Sequence, residues 1–315
     1  MQNNLPPLIV ILGPTGSGKT SLSLKLAKKY NGEIVSADSR QIYREMDIGT
    51  DKIRIENHES RIMNRDIDKF YYGNVNSIPH YMIDIINPDE EYSVANYKKD
   101  ALLVINDILK RGKIPFLVGG TGLYIKAIID NLDIPKVKPD IALRKKLDTI
   151  DKEKLFSIFK KLDLKGAKKI DKDNKRRLVR AIEICKQTGR PFSEQNKKGR
   201  PLFNVLQIGI RLSREKLYHK IDKRVDEMIA EGLINETKNL IRKYSLDLPS
   251  MSGIGYKEIG EYLNNKISKK EAIQKIKYRT HQYVRRQDTW FLKDRKIAWI
   301  NNYGEAQDLI VKFLT

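Results

Sequence analysis

The chain has 315 residues, 40% of them hydrophobic, enough for one large or two ordinary cores, which excludes a disordered polymer. Lys and Arg number 61 against 40 Asp and Glu, a net charge of +21, so the expected partner is a polyanion: nucleic acid, an acidic membrane surface or a phosphorylated substrate. One cysteine, Cys185, excludes internal disulfides and cysteine-rich zinc modules; with no signal-like N-terminus and no long apolar run, a soluble cytoplasmic protein that avoids the membrane is expected.

The first element is a continuous apolar run, residues 8–12, the pattern of a strand buried on both faces. Helical spacing follows over 21–30 and a second short strand over 33–37. Further strands are expected at 81–85, 115–118, 205–210 and 298–301, with helices over 92–111 and 123–129 between them. This alternation predicts an α/β fold, a mostly parallel sheet flanked by helices. Residues 135–201 interrupt it. They hold 22 Lys or Arg against 9 Asp or Glu, show helical patterns at 141–147, 155–162 and 177–186, and contain Pro135, Pro139, Pro191 and Pro201. An apolar strand resumes directly afterwards, so 135–201 reads as a basic helical subdomain inserted into a core formed by 1–134 and 202–315. The last third is helical over 213–244 and 268–291.

Gly13, Pro14, Thr15, Gly16, Ser17, Gly18, Lys19 and Thr20 match GxxxxGK[ST] between a buried strand and a helix, the setting of a phosphate-binding loop. Successive backbone N–H groups and the helix N-terminus cradle an anion, Lys19 adds a full charge, and the Thr20 hydroxyl is placed to ligate Mg2+. The loop specifies a diphosphate or triphosphate but not the reaction, since most such loops serve phosphoryl transfer and a diphosphate leaving as a unit would be held equally well. Asp84 is a candidate magnesium partner. Asp38 ends the second strand at the carboxyl edge of the sheet beside this loop, and as a lone residue it reads either as a group facing the bound anion or as a helix N-cap.

The segments GPTGSGKT at 13–20, SADSRQIY with MDIGT at 36–50, DIINPDEEYSVANY at 84–97 and GGTGLY at 119–124 resemble, in order, those of the bacterial-type tRNA dimethylallyltransferases, or tRNA isopentenyltransferases. NKRRLVRAIEICKQTGRPFS at 174–193, KIDKRVDEMIAEGL at 220–233, GIGYKE at 253–258 and YRTHQYVRRQDTWF at 278–291 extend the likeness over nearly the whole chain. His281, Val284 and Arg285 depart from that pattern. The resemblance implies transfer of a dimethylallyl group from its diphosphate to N6 of adenosine 37 beside the tRNA anticodon, by a monomer using Mg2+. Asp38 would accept the N6 proton, Arg224 and Thr20 would act on the diphosphate, and 135–201 would bind the anticodon stem-loop. The target adenine must leave its stack to react. The RNA contacts implied are Asp38, Ser39, Arg40, Gln41, Thr121, Arg176, Arg177, Leu178, Val179, Arg180, Gly255, Tyr256, Lys257, Gln282, Arg285 and Arg286.

Overall fold

Pro7–Leu12 (β1) is apolar at every position after its first because it lies inside a sheet covered on both faces. The computed structural model describes residues 5–55, 57–62, 69–135, 137–195 and 197–315. Alternate residues of β1 divide between two cores: Leu8, Val10 and Leu12 face one, Ile9 and Ile11 the other. Lys19–Lys29 (α1) packs Leu26 and Ala27 onto the second face. Gly32–Ser36 (β2) follows, then Asn57–Ile62 (β3), Lys69–Val75 (β4) and Ile78–Tyr81 (β5). Val94–Lys110 (α2), Ile114–Gly119 (β6) and Gly122–Ile129 (α3) complete this half, with both helices on the first face.

Asn204–Ile210 (β7) and Ile297–Ile300 (β8) extend the sheet, whose order among the described residues is β3-β4-β5-β2-β6-β1-β7-β8. All neighbours from β5 to β8 are parallel, and β4 and β3 add an antiparallel edge. The sheet therefore opens its carboxyl ends, including the loops after β1, β2 and β6, on one side. The strand expected at 81–85 is displaced to β5, because Met82 (φ 64°) and Asp84 (φ 55°) take left-handed backbone that ends it.

Arg214–Glu231 (α8) and Leu233–Lys243 (α9) occupy the stretch expected as one helix; Gly232, at φ 110°, breaks it. Tyr256–Leu263 (α10 here, the numbers α4 to α7 belonging to the inserted unit below) and Lys269–Phe291 (α11) pack with them around Ile221, Val225, Tyr256, Ile276 and Val284. Tyr303–Leu314 (α12) covers the second sheet face through Ala306 and Ile310. The antiparallel β3–β4 pair, α10 and α12 were not expected from the sequence.

Residues up to Ile129 together with Leu202–Thr315 make one compact unit, and Asp130–Pro201 makes another. The second begins before Pro135 because Asp133 N–H donates to the Lys197 carbonyl and the Asn131 amide to that of Arg200. Its helices are Ile141–Asp148 (α4), Lys152–Leu162 (α5), Leu164–Ala167 (α6) and Lys175–Thr188 (α7), around Leu155, Phe159, Leu178 and Ile182. Cys185 belongs to this core, and burial raises its thiol pKa.

Candidate active site

The loop after β1 turns through Gly13, Gly16 and Gly18, all at positive φ, so that α1 can start at Lys19 directly behind it. Lys19 Nζ donates to the Pro14 carbonyl at 2.7 Å, folding the side chain back over its own loop. Desolvation lowers its pKa to about 8, against the opposing pull of Asp38. Ser17 Oγ is buried in the loop without a hydrogen-bond partner, a donor that a bound anion can engage. Lys19, Thr20, Ser23, Ser36, Asp38, Gln41, Asp51 and Arg224 line a cavity of about 330 Å³ around this loop. Burial lowers the Arg224 pKa while its guanidinium holds Asp51 Oδ2 at 3.0 Å.

A second cavity, about 320 Å³, is walled by α8, α10 and α11 through Ile221, Val225, Met228, Tyr256, Ile276, Thr280, Tyr283 and Arg286. Thr15, Asp38, Thr50 and Arg224 line both cavities. Asp38 thus stands where a cation-lined chamber meets a largely apolar one. One of its oxygens, Oδ1, accepts from Arg40 N–H at 2.8 Å, which fixes the turn that carries it. Thr121 Oγ1 accepts from Ser39 N–H at 3.0 Å. Burial, then the nearby Asp38 charge, pushes the Tyr283 phenol up to about 12, so it stays a neutral donor.

The loop at 47–51 is held from outside. Glu236 accepts from the backbone N–H groups of Asp47 (3.1 Å), Ile48 (2.8 Å) and Gly49 (3.1 Å) and from the Tyr256 hydroxyl (2.7 Å). Gln41, which lines the loop cavity, donates to the Thr50 and Asp51 carbonyls.

Several expected roles change. Asp84 lines neither cavity, and its carboxylate bonds Lys52 Nζ at 2.6 Å. Gln41 lines the loop cavity alone, and Arg40 spends its guanidinium on the Pro249 and Ser250 carbonyls while lining the second. Leu178 and Val179 are core side chains of the inserted unit, so neither is a surface for RNA. Arg180 is bound to buried Glu183, which Arg144 also pairs, and donates to the Val137 carbonyl. Arg176, Arg177 and Lys257 are exposed. Gly255 and Tyr256 line the second cavity, and Gln282, Arg285, Arg286 and Thr289 border an open hollow of about 460 Å³. Of the three departures from the family pattern, Val284 is core, His281 stacks on Tyr218 and pairs with Asp222, and Arg285 donates to the Tyr218 hydroxyl.

Sequence reasoning missed Thr50, Asp51, Glu236, Tyr283 and Gln287. Tyr283 and Gln287 lie four apart on one helix face, a spacing that could have marked them; Glu236 carries no such signal.

The family model described as IPP transferase matches residues 41–295, and that described as isopentenyl transferase matches 6–65. The chain is 44% identical over 316 residues to a tRNA dimethylallyltransferase of Acetivibrio thermocellus, covering 98% of this chain and 96% of that protein. It is 46% identical over 303 residues to one of Halothermothrix orenii, covering 93% and 87%. The crystal structure of the full-length tRNA isopentenylpyrophosphate transferase of Bacillus halodurans superposes with a TM-score of 0.70 at 36% identity, over 98% and 96% of the two chains. A eukaryotic dimethylallyltransferase captured acting on tRNA gives 0.74 at 29% identity, over 94% of this chain and 74% of that one.

Proposed function

The chain belongs to the IPP transferase family of tRNA dimethylallyltransferases, and from that membership we propose that it moves a dimethylallyl group from dimethylallyl diphosphate to N6 of adenosine 37 in tRNA. Diphosphate is the other product. The observation that carries this reading is the pair of cavities meeting at Asp38: an allylic diphosphate has a polyanionic head and a short apolar tail, and an adenine has an apolar face with polar edges.

In this reading the backbone N–H groups of the 13–20 loop, Lys19 and Arg224 hold the diphosphate. Asp38 faces the N6 amine as it attacks the allylic carbon. The new N–C bond forms as the C–O bond breaks, its electrons leaving with the diphosphate, and the N6 proton passes to Asp38. General-base help of this kind is worth about 10² to 10⁴-fold. Lys19 and Arg224 stabilise the charge that grows on the leaving group, and they act strongly because they are already desolvated. Tyr283 and Ser39 offer polar edges to the flipped base, with Thr121 holding Ser39 N–H from behind, and Ile221, Val225 and Ile276 supply apolar contact.

The residues present suit Mg2+. Among the described residues no cluster of three His, Cys, Asp or Glu exists, while Thr20 and Asp38 put a hydroxyl and one carboxylate into the diphosphate cavity. Magnesium takes few protein ligands when phosphate oxygens and water complete its shell. Thr20 would hold it, and the bound ion supplies countercharge to the leaving diphosphate.

Arg176 and Arg177, exposed at the start of α7, would meet tRNA phosphates in the inserted unit. No helix among the described residues is long and apolar enough to cross a membrane. The test is label transfer from dimethylallyl diphosphate to unmodified tRNA, with free AMP as a parallel acceptor. Label in tRNA alone is expected; equal labelling of AMP would shift the reading to a free-nucleotide prenyltransferase.

A further inference from the structure

Helix α11 carries one buried polar side chain that neither the diphosphate nor the RNA role has absorbed. Gln287 is 5% exposed. Its Oε1 accepts from Thr15 N–H at 2.9 Å, and its Nε2 donates to the Gly120 carbonyl at 2.9 Å. The amide therefore closes a bridge between the loop after β1 and the loop after β6, two segments that share no helix or strand. Both ends matter to the site. Thr15 lines both cavities, and Gly120 precedes Thr121, which accepts from Ser39 N–H. The bridge also explains a glycine: a Cβ on residue 120 would lie 2.4 Å from Gln287 Nε2.

We propose that Gln287 is a positioning residue for diphosphate binding, an amide strut on α11 that sets the Thr15 limb of the phosphate loop against the Gly120–Thr121 turn. The proposal rests on the reading of the loop as a diphosphate site. Gln287 touches no reacting atom in this account; it acts through Thr15. With Thr15 N–H committed to the strut and Ser17 N–H donating to the Pro14 carbonyl at 3.2 Å, the amide donors left for the anion are those of Gly16, Gly18, Lys19 and Thr20. Their aim depends on where the loop is pinned at its start. The side chain has to be Gln because the bridge needs one acceptor and one donor at the end of a three-carbon reach, each meeting a backbone group of the opposite kind. An apolar replacement of the same length leaves a buried N–H and a buried carbonyl unpaired, and both loops then have reason to shift to recover partners.

Binding of magnesium diphosphate by calorimetry tests this without requiring turnover, with tRNA affinity as the control for folding. Gln287→Met is expected to weaken diphosphate binding about tenfold or more and to raise the KM for dimethylallyl diphosphate correspondingly, while kcat and the KM for tRNA stay within about threefold. Gln287→Glu keeps the acceptor for Thr15 but faces an oxygen to the Gly120 carbonyl. Its expected loss of diphosphate affinity carries the test if the Met variant does not fold. Diphosphate affinity equal to the parent in a variant that still binds tRNA would overturn the strut. So would equal losses in both substrates' KM. A parent that fails to bind diphosphate would overturn the diphosphate reading and this proposal together, which separates that failure from failure of the strut alone.

Discussion

The two compact units use the same residue types in different ways. In the sheet unit, cations act at single positions: Lys19 is folded over its own loop and Arg224 lies between the two cavities. In the inserted unit they are spread over a surface, and two of its arginines, Arg144 and Arg180, are committed to buried Glu183. The difference teaches that net charge points to a kind of partner, while burial at a cavity singles out individual charges to test. One unit should respond steeply to single changes, and the other only to sums.

The steepest response belongs to Asp38. Asp38→Asn should slow single-turnover transfer by about 10² to 10⁴-fold and leave tRNA affinity within a few-fold, as general-base assistance requires. Equal rates for variant and parent would remove the base from the junction.

The next response is to pH and comes from Lys19. A lysine carries its charge below its pKa; with burial lowering that pKa to about 8, the charge offered to diphosphate is lost as pH rises above about 8 rather than above the usual lysine range. The contribution of Lys19 to diphosphate affinity should be full and independent of pH below this point, and affinity should fall by up to about tenfold per pH unit above it, as linkage dictates for one required proton. Lys19→Arg should move the fall out of the accessible range. Calorimetry across that window checks both, and affinity that stays flat well above pH 8 would show that Lys19 is not desolvated as described.

The inserted unit should give the smallest and most salt-dependent effect. Replacing Arg176 and Arg177 together should weaken tRNA binding at moderate salt and flatten the salt dependence by about 1.4 to 1.8 log units per decade, two phosphate contacts' worth. Arg180 does not belong in that set, since removing it takes one of two arginine partners from the buried Glu183 carboxylate and so mixes a change in packing with a change in surface charge. An unchanged salt slope would end the comparison between the units by making these arginines ordinary surface charge.

Much of the sheet unit was legible because its signals are local. The apolar run of β1, the GxxxxGK[ST] spacing and Asp38 at a strand end are short-range patterns, and the resemblance set them in order. The break at Gly232 escaped because apolar periodicity runs through it and only the φ of 110° reveals the turn. The β3–β4 edge escaped because its sequence lacks a clean alternation of apolar and polar residues. Glu236 and Gln287 were illegible for a different reason. Apart from the Tyr256 hydroxyl on Glu236, their partners are backbone groups 187 and 167 or more positions away, and a hydrogen bond to a backbone atom leaves no mark on the partner's residue type. The Arg180 ion pair escaped as well: its spacing from Arg176 suggests a shared exposed face and gives no sign of the pair it makes with Glu183, one turn on.

The central claim is that a phosphate-binding loop here holds a leaving group and transfers no phosphoryl. Dimethylallyl diphosphate labelled in both phosphates and in the prenyl carbons, incubated with unmodified tRNA, tests it most directly. The account predicts that the carbon label appears on adenine N6 in the tRNA and that both phosphates leave together as diphosphate in equal amount. Phosphate label on the acceptor, or release of single phosphate without prenyl transfer, would contradict it.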